Sequence, residues 1–589
     1  MGLQDRSKWL KTGKTLLILA SILATIKLIF VDYTLDEEYQ IVMAYRNLSG
    51  DTLFGTMWEP HQTSAFACVL LMRLFQIITG GTTGVVLFLR VVTTGIQLGL
   101  AVWFARTLGR WLEKEYAFLF GCCYFNMVPK VIQIPEFSNL QLWFWTVTVL
   151  ALIRAYDWPG DKAAHAGTGA ARTGWLVLAG AGMAAEVLAY PSSLILFPFF
   201  LYVIFRKAEK SKWVDALSFA GTCVVCAGLW LAKIMTRVSW SEFVRNVRYI
   251  LDFDLTHDVS PTAGYRVMTI GEGMLSLVWP LLAAGLLGGI MWLVCHNIHK
   301  TEENHRDKTD RAILAVCLIV AAELVQIFYW VILQKGYEEP QICLLMLYIG
   351  AAIVRRQADE RGAVFKPAVR SGLLTILAVI YMSDLDAWYA IPHGMLGALC
   401  AGAVLVTALG NREQKSGRKW VYLLLFSLAF CSVFGKGFTL RAGNTETNTV
   451  LGIRGLIQKG PATGIFTNYM QAYIMNCTYE DFERYVEQGE NVLIVTNMVG
   501  TAGTSPYLFR DSFVSHFSIV DPTSYDERLL TYWELYPEKY PDVIVVDCWY
   551  GQLMEARDNW IMKYIEEDFG YTSVEDGRYV RFYRKNGEL

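Results

Sequence analysis

Residues 15–66 read TLLILASILATIKLIFVDYTLDEEYQIVMAYRNLSGDTLFGTMWEPHQTSAF, an apolar run that stops abruptly at a segment carrying Asp32, Asp36, Glu37, Glu38, Asp51 and Glu59. The run from about Thr15 to Val31 predicts a first membrane span, since a helix needs about 20 apolar residues to cross. Lys8, Lys11 and Lys14 precede it, which puts the N-terminus in the cytoplasm and the acids outside. No small-residue cleavage site follows, so the span is read as retained rather than as a signal peptide.

Asp36 and Glu37 follow the span end closely enough to be held near the bilayer surface. Ile41, Ala44, Tyr45 and Leu48 recur at helical spacing and predict an interfacial helix that fixes the acids before it. Trp58, Glu59, Pro60, His61 and Gln62 then bring an interfacial aromatic and further polar groups. A solvated collar of charge is the plain alternative for any single acid. Together the features suit a lipid-linked substrate whose polar head is gripped at the membrane surface.

Working outward, the whole chain has 589 residues, 54% of them apolar, 14% aromatic and 18% charged, with a mean hydropathy of +0.33. That composition excludes a soluble multidomain enzyme. The net charge of -2 includes no basic stripe of the kind nucleic acid requires. Loops rich in Lys and Arg, His299 to Arg311, Arg355 to Arg370 and Asn411 to Lys419, are expected in the cytoplasm, and the final apolar run delivers the tail outside. An inside N-terminus and an outside tail require an odd number of crossings. Apolar runs number about fourteen, so Ser64 to Thr79 is read as re-entrant or interfacial, leaving about thirteen spans. The expected fold is a polytopic α-helical membrane module over residues 1–441, with external loops 32–63 and 236–270, and a soluble α/β domain over 442–589.

In that tail Thr463 to Tyr469, Val492 to Asn497 and Val543 to Asp547 predict strands. Tyr479 to Gln488 and Gly551 to Phe569 predict helices, and YTSVEDGRYVRFYRK predicts a hairpin turning at Asp576-Gly577. Ten of the twelve cysteines lie in apolar runs, where Cys packs as a small hydrophobe; only Cys477 and Cys548 could bridge usefully. Glu186 and Glu323 are ionisable groups within apolar runs, which is expensive and therefore often functional. Glu186 stands four residues before Tyr190 near an expected outer helix end, facing either a substrate cavity or a buried hydrogen bond.

These features resemble the GT-C glycosyltransferases, in particular the protein O-mannosyltransferases and lipid A aminoarabinose transferases. The resemblance rests on the Asp36-Glu37 pair opening the first external loop, the Glu59-Pro60-His61-Gln62 element before the next helix, and Phe88-Leu89-Arg90 near the start of another. It covers about Thr15 to Arg206 and departs from the family at Asn139 and at Ala189-Tyr190-Pro191-Ser192. It implies transfer of a sugar from a polyprenyl-phosphate donor to a hydroxyl acceptor outside the plasma membrane, commonly with inversion, by a multi-pass protein in the lipid bilayer.

Such chemistry needs a carboxylate to take the acceptor's proton, and a cation or metal opposite it for the phosphate that leaves. Asp36 is the expected base, with Glu37 orienting the acceptor or helping to bind a cation. Arg237, Arg245, Arg248 and Arg266 could meet the phosphate, and Asp252, Asp254, His257 and Asp258 could ligate Mg²⁺ or Mn²⁺. Glu59, His61, Gln62, Arg90, Glu186 and Tyr190 complete the expected substrate-binding set. A transporter of a lipid-linked sugar and a non-catalytic scaffold remain the alternatives; the sequence names neither sugar nor acceptor.

Overall fold

The computed structural model describes residues 3–33, 35–59, 61–129, 132–156, 169–208, 211–252, 263–298, 306–333, 340–356, 360–382, 387–410, 415–440, 450–487, 489–495, 513–520, 526–547, 567 and 570–585. The helices are α1 Leu3–Phe30, α2 Leu35–Leu48, α3 Phe66–Thr79, α4 Val85–Leu108, α5 Lys114–Asn126, α6 Phe137–Ala155, α7 Gly169–Ala189, α8 Leu196–Lys207, α9 Lys212–Met235 and α10 Trp240–Asp252. They continue with α11 Ala263–Ile298, α12 Arg306–Val331, α13 Gln341–Val354, α14 Glu360–Ala363, α15 Lys366–Met382, α16 Ala387–Ala390, α17 Met395–Gly410, α18 Lys415–Phe438, α19 Tyr469–Tyr485 and α20 Asp526–Leu535.

Up to α18 the chain is a helical bundle whose outer helices turn Leu70, Leu229, Trp279 and Leu286 outward, while α17 is almost wholly buried at its centre. An apolar exterior around an apolar core is stable only in lipid. Among the described residues, nine helical segments are long and apolar enough to cross a membrane, rather than about thirteen. The larger expectation also counted α5, α6, α7, α8 and α13, which are shorter or more polar. Gln62–Thr79 is one of the nine, so its length and apolarity give no reason to leave it out as re-entrant or interfacial. That helix ends where Gly80, at φ 76°, donates its N–H to the Gln76 carbonyl, a left-handed cap that glycine adopts without strain.

The C-terminal region is mixed. Strands β1 Gly455–Leu456 and β2 Phe466–Thr467 form an antiparallel pair. Strands β3 Asn491–Val495, β4 Phe513–Val520, β5 Val543–Asp547, β6 Tyr571–Asp576 and β7 Val580–Lys585 form one sheet in the order β4-β3-β5-β7-β6. The pairs β3–β4 and β3–β5 are parallel, β5–β7 and β6–β7 antiparallel. The expected terminal hairpin and the central VIVVD strand are therefore present, with Val543, Ile544 and Val545 all buried, as a strand covered on both faces must be. Cys477 is a free thiol; Cys548 and most of the helix expected over Gly551 to Phe569 lie outside the described residues.

Candidate functional site

Where α1 ends, Val31 makes a bridge with Phe466 of β2, and Asp32 takes a left-handed backbone at φ 70°. Three contacts hold that conformation: Asp32 N–H donates to the Phe466 carbonyl at 2.7 Å, its Oδ1 accepts the Tyr33 N–H at 2.9 Å, and its carbonyl accepts Arg90 Nη2. The other described non-glycine residue with positive φ is Phe54, in the same acidic segment. Strain of this kind costs about 1–3 kcal/mol per residue and concentrates at functional sites.

The short α2 begins directly after this turn. Asp36 is its second residue, in the first turn where the helix dipole favours negative charge; the side chains of Leu35 and Asp36 lie outside the described residues. Glu37 is buried and gripped by Arg90 of α4, Nε to Oε1 at 2.9 Å and Nη2 to Oε2 at 2.6 Å. Arg90 Nη1 also reaches the carbonyls of Leu28, Ile29 and Val31 at 3.0–3.1 Å. Every N–H of the guanidinium is thus engaged within the protein, closing the orphan carbonyls at the end of α1. In this arrangement Arg90 shapes the loop, with its N–H groups turned to Glu37 and to the end of α1. Burial, and secondarily the charge of Glu37, push the Glu38 carboxyl well above the ordinary value.

One turn on, Gln40 accepts from Ser64 Oγ at 3.0 Å. Arg46 then sinks into a closed polar cluster, with Nε 2.7 Å from Asp51 Oδ2, Nη1 on Glu59 Oε1, and Nη2 3.0 Å from the Thr56 carbonyl. Asp51 Oδ1 also accepts from Thr56 Oγ1 at 2.7 Å and faces Lys539 Nζ at 2.7 Å. Burial opposes the charge of Arg46, yet Glu59 and Asp51 hold its pKa above the usual arginine value. Burial lowers that of Lys539, partly opposed by Asp51. Gln62 accepts the Phe54 N–H at 2.8 Å and donates to the Glu59 carbonyl at 3.0 Å. Gln62 and Glu59 therefore fasten the loop in this structure.

Helix α10 joins here. Asn246 of α10 donates to the carbonyls of Phe54 and Gly55 and to Tyr536 Oη, and Tyr536 donates to Glu242 at 2.7 Å. Trp58 is fully buried, stacked on Tyr249 at 5.2 Å and edge-on to Tyr532 at 5.3 Å. Arg245 is half-buried with Nε toward Asn246, and Arg248 is exposed. Asp254, His257 and Asp258 lie outside the described residues, as do the side chains of Asp252 and Arg266. Among the described residues no group of three or more His, Cys, Asp or Glu could hold a metal ion.

A second cluster lies at the C-terminal end of α7. His61 stacks on Phe137 at 4.4 Å, with the Tyr190 ring 6.0 Å away. Tyr190 in turn lies 5.1 Å from the His393 ring. His393 Nδ1 bonds Gln141 Oε1, and Gln141 Nε2 donates to Ser193 Oγ at 3.0 Å. Glu186 is fully buried, with its carboxyl set against the Ser193 hydroxyl. Thr63 Oγ1 donates to the Leu188 carbonyl at 2.6 Å and ties this cluster to the acidic loop. Three sequence-expected residues, His61, Glu186 and Tyr190, therefore share one neighbourhood. His393 and Gln141 join them from positions with no local sequence signal beyond a polar group in an apolar setting.

No family model matches the chain, and no curated protein matches it. Among solved structures it is similar to the archaeal oligosaccharyltransferase AglB from Archaeoglobus fulgidus, in complex with an inhibitory peptide and a dolichol-phosphate. The identity there is 11% over 99% of this chain and 75% of that one, with a TM-score of 0.40. It is also similar to ArnT from Cupriavidus metallidurans in the apo state, at 11% identity over 98% of both chains and a TM-score of 0.41. Neither similarity assigns a role to any residue here.

Proposed function

We propose that the chain is a membrane glycosyltransferase that moves a sugar from a polyprenyl-phosphate donor to a hydroxyl acceptor on the outer side of the membrane. The observation that carries this reading is the start of α2: Asp36-Glu37 opens a short helix fixed by Arg90 to the end of α1, at the junction of the bundle and the C-terminal region. A carboxylate in that position is pre-oriented at the bilayer surface, where the phosphate of a lipid carrier sits.

In the reaction the acceptor oxygen attacks the anomeric carbon while Asp36 takes its proton. The bond from that carbon to the phosphate oxygen breaks, and the lipid phosphate departs with the electron pair. Glu37, neutralised by Arg90, positions the helix that bears the base rather than reacting itself. Arg245 and Arg248, less enclosed than Arg46 and Arg90, are the cations available to the departing phosphate. His61, Tyr190, His393 and Glu186 supply the ring faces and polar groups that a sugar requires. Replacing Asp36 by Asn in full-length protein tests the assignment. Transfer from polyprenyl-phosphate sugars should collapse while the protein still folds.

A further inference from the structure

Among the described residues beyond 442, the large apolar side chains left exposed are Leu456, Phe466, Tyr469, Met470 and Tyr473, all on the β1–β2 pair or on the start of α19, which packs against it. Leu456 and Phe466 are cross-strand partners of the β1–β2 pair. The other three occupy the first turns of α19, whose Asn468 cap accepts the Gln471 N–H. Tyr469 and Tyr473 stack with ring centroids 6.2 Å apart. Tyr469 is 66% and Met470 53% exposed, although the opposite face of the same helix buries Ala472 and Met475. A domain with a sufficient interior keeps such residues exposed together only where something apolar covers them.

The position of the patch identifies the cover. Phe466 bridges Val31, the residue that follows α1, and accepts the Asp32 N–H. The Gly460 and Pro461 carbonyls accept the N–H groups of Gly84 and Val86 at the start of α4. Ile457, Ile465 and Met475 pack in one cluster with Tyr33, Met72 and Val85. The β1–β2 pair and the start of α19 are therefore seated on the ends of membrane-type helices, level with the point where α1 leaves the bilayer. On α1 the exposed Ile26 and Phe30 lead directly to this level. Arg454, exposed just before β1, adds a cation at the same edge.

We propose that this patch is a membrane-interface contact: the C-terminal region lays Leu456, Phe466, Tyr469, Met470 and Tyr473 into the headgroup boundary of the leaflet at the C-terminal end of α1. Tyrosine and phenylalanine favour that depth because an apolar ring meets lipid while polar groups stay wet, and Arg454 meets the lipid phosphates. The contact anchors α19 and hence the Gln471 side chain, which donates to the Tyr33 carbonyl beside the acidic loop. It depends on the chain spanning a membrane and not on the transfer reaction, so either reading can fail alone.

The test incorporates a fluorescent amino acid at Met470 in the full-length protein, with the same probe at exposed Arg484 of α19 as a control, both in phosphatidylglycerol-containing nanodiscs. The expected result at position 470 is blue-shifted emission, quenching by lipid nitroxides placed high on the acyl chain, and loss of quenching by aqueous iodide. Position 484 should show the reverse. Equal iodide quenching at both positions would overturn the proposal. So would shielding from both quenchers at 470, which would mean that a protein or a second copy covers the patch.

Discussion

Lys539 of the C-terminal region places its ammonium 2.7 Å from Asp51 of the first acidic loop, with both side chains at least nine-tenths buried. Asp51 at the same time pairs with Arg46, which also holds Glu59, so two cations and two carboxylates share a dry cluster. Removing one member leaves a buried charge uncompensated, and Lys539→Met should destabilise the protein by about 3–5 kcal/mol. Thermal unfolding in detergent measures it. The double change Lys539→Met with Asp51→Asn should recover part of the loss, because the orphaned carboxylate is then gone.

Arg90→Lys should behave as a disruptive change despite keeping the charge. A single ammonium cannot span both oxygens of Glu37 and also reach the carbonyls of Leu28, Ile29, Val31 and Asp32. A loss of about 3 kcal/mol is expected, accompanied by faster proteolysis of the loop at 32–63. Unchanged stability with a raised donor KM would instead return Arg90 to substrate binding.

Glu38 sets a pH dependence. Its folded pKa lies well above the unfolded 4.5, so above pH 4.5 the folded state keeps a proton that the unfolded state has lost. Stability contributed by this group is therefore full below pH 4.5 and declines as pH rises toward the folded pKa. Glu38→Gln should be at least as stable as the parent at pH 7, and the advantage should vanish at pH 4. Melting temperatures at the two values decide it.

Glu186→Gln separates a structural from a binding role. The carboxyl is buried and set against the neutral Ser193 hydroxyl, so the isosteric amide should leave the melting temperature unchanged or raise it. If the carboxyl binds the sugar, donor KM should rise about tenfold, the effect of losing one charge-assisted hydrogen bond. A lower melting temperature with unaltered KM would make Glu186 part of the bundle's packing.

The start of α2 was legible because charge follows apolar character abruptly after Val31, and Ile41, Ala44 and Tyr45 repeat with helical period; all three are buried. Arg90 was singled out by its position in a motif, but its partners were invisible, because Glu37 and the end of α1 meet it only through tertiary packing. Lys539 gave no signal for the same reason: nothing around it in the sequence marks a lysine destined for burial against Asp51. His393 is a single polar residue in an apolar stretch with no partner nearby in the sequence, and its ring meets Tyr190 only through tertiary packing. Strand β4, FVSHFSIV, escaped because polar residues interrupt its apolar run. The nine long apolar segments among the described residues and the expected thirteen spans differ at short helices such as α5 and α8, whose apolar runs fall below the length that marks a crossing by composition alone.

The central claim rests on Asp36, and the most direct measurement is sugar transfer from a panel of radiolabelled polyprenyl-phosphate sugars by purified wild type and Asp36→Asn, with and without Mg²⁺ or Mn²⁺. The account predicts turnover of at least one donor by the wild type, and a loss of about 10²-fold or more in the variant at unchanged melting temperature. Equal turnover by the two proteins, or no specific binding of any donor by the wild type, would contradict it.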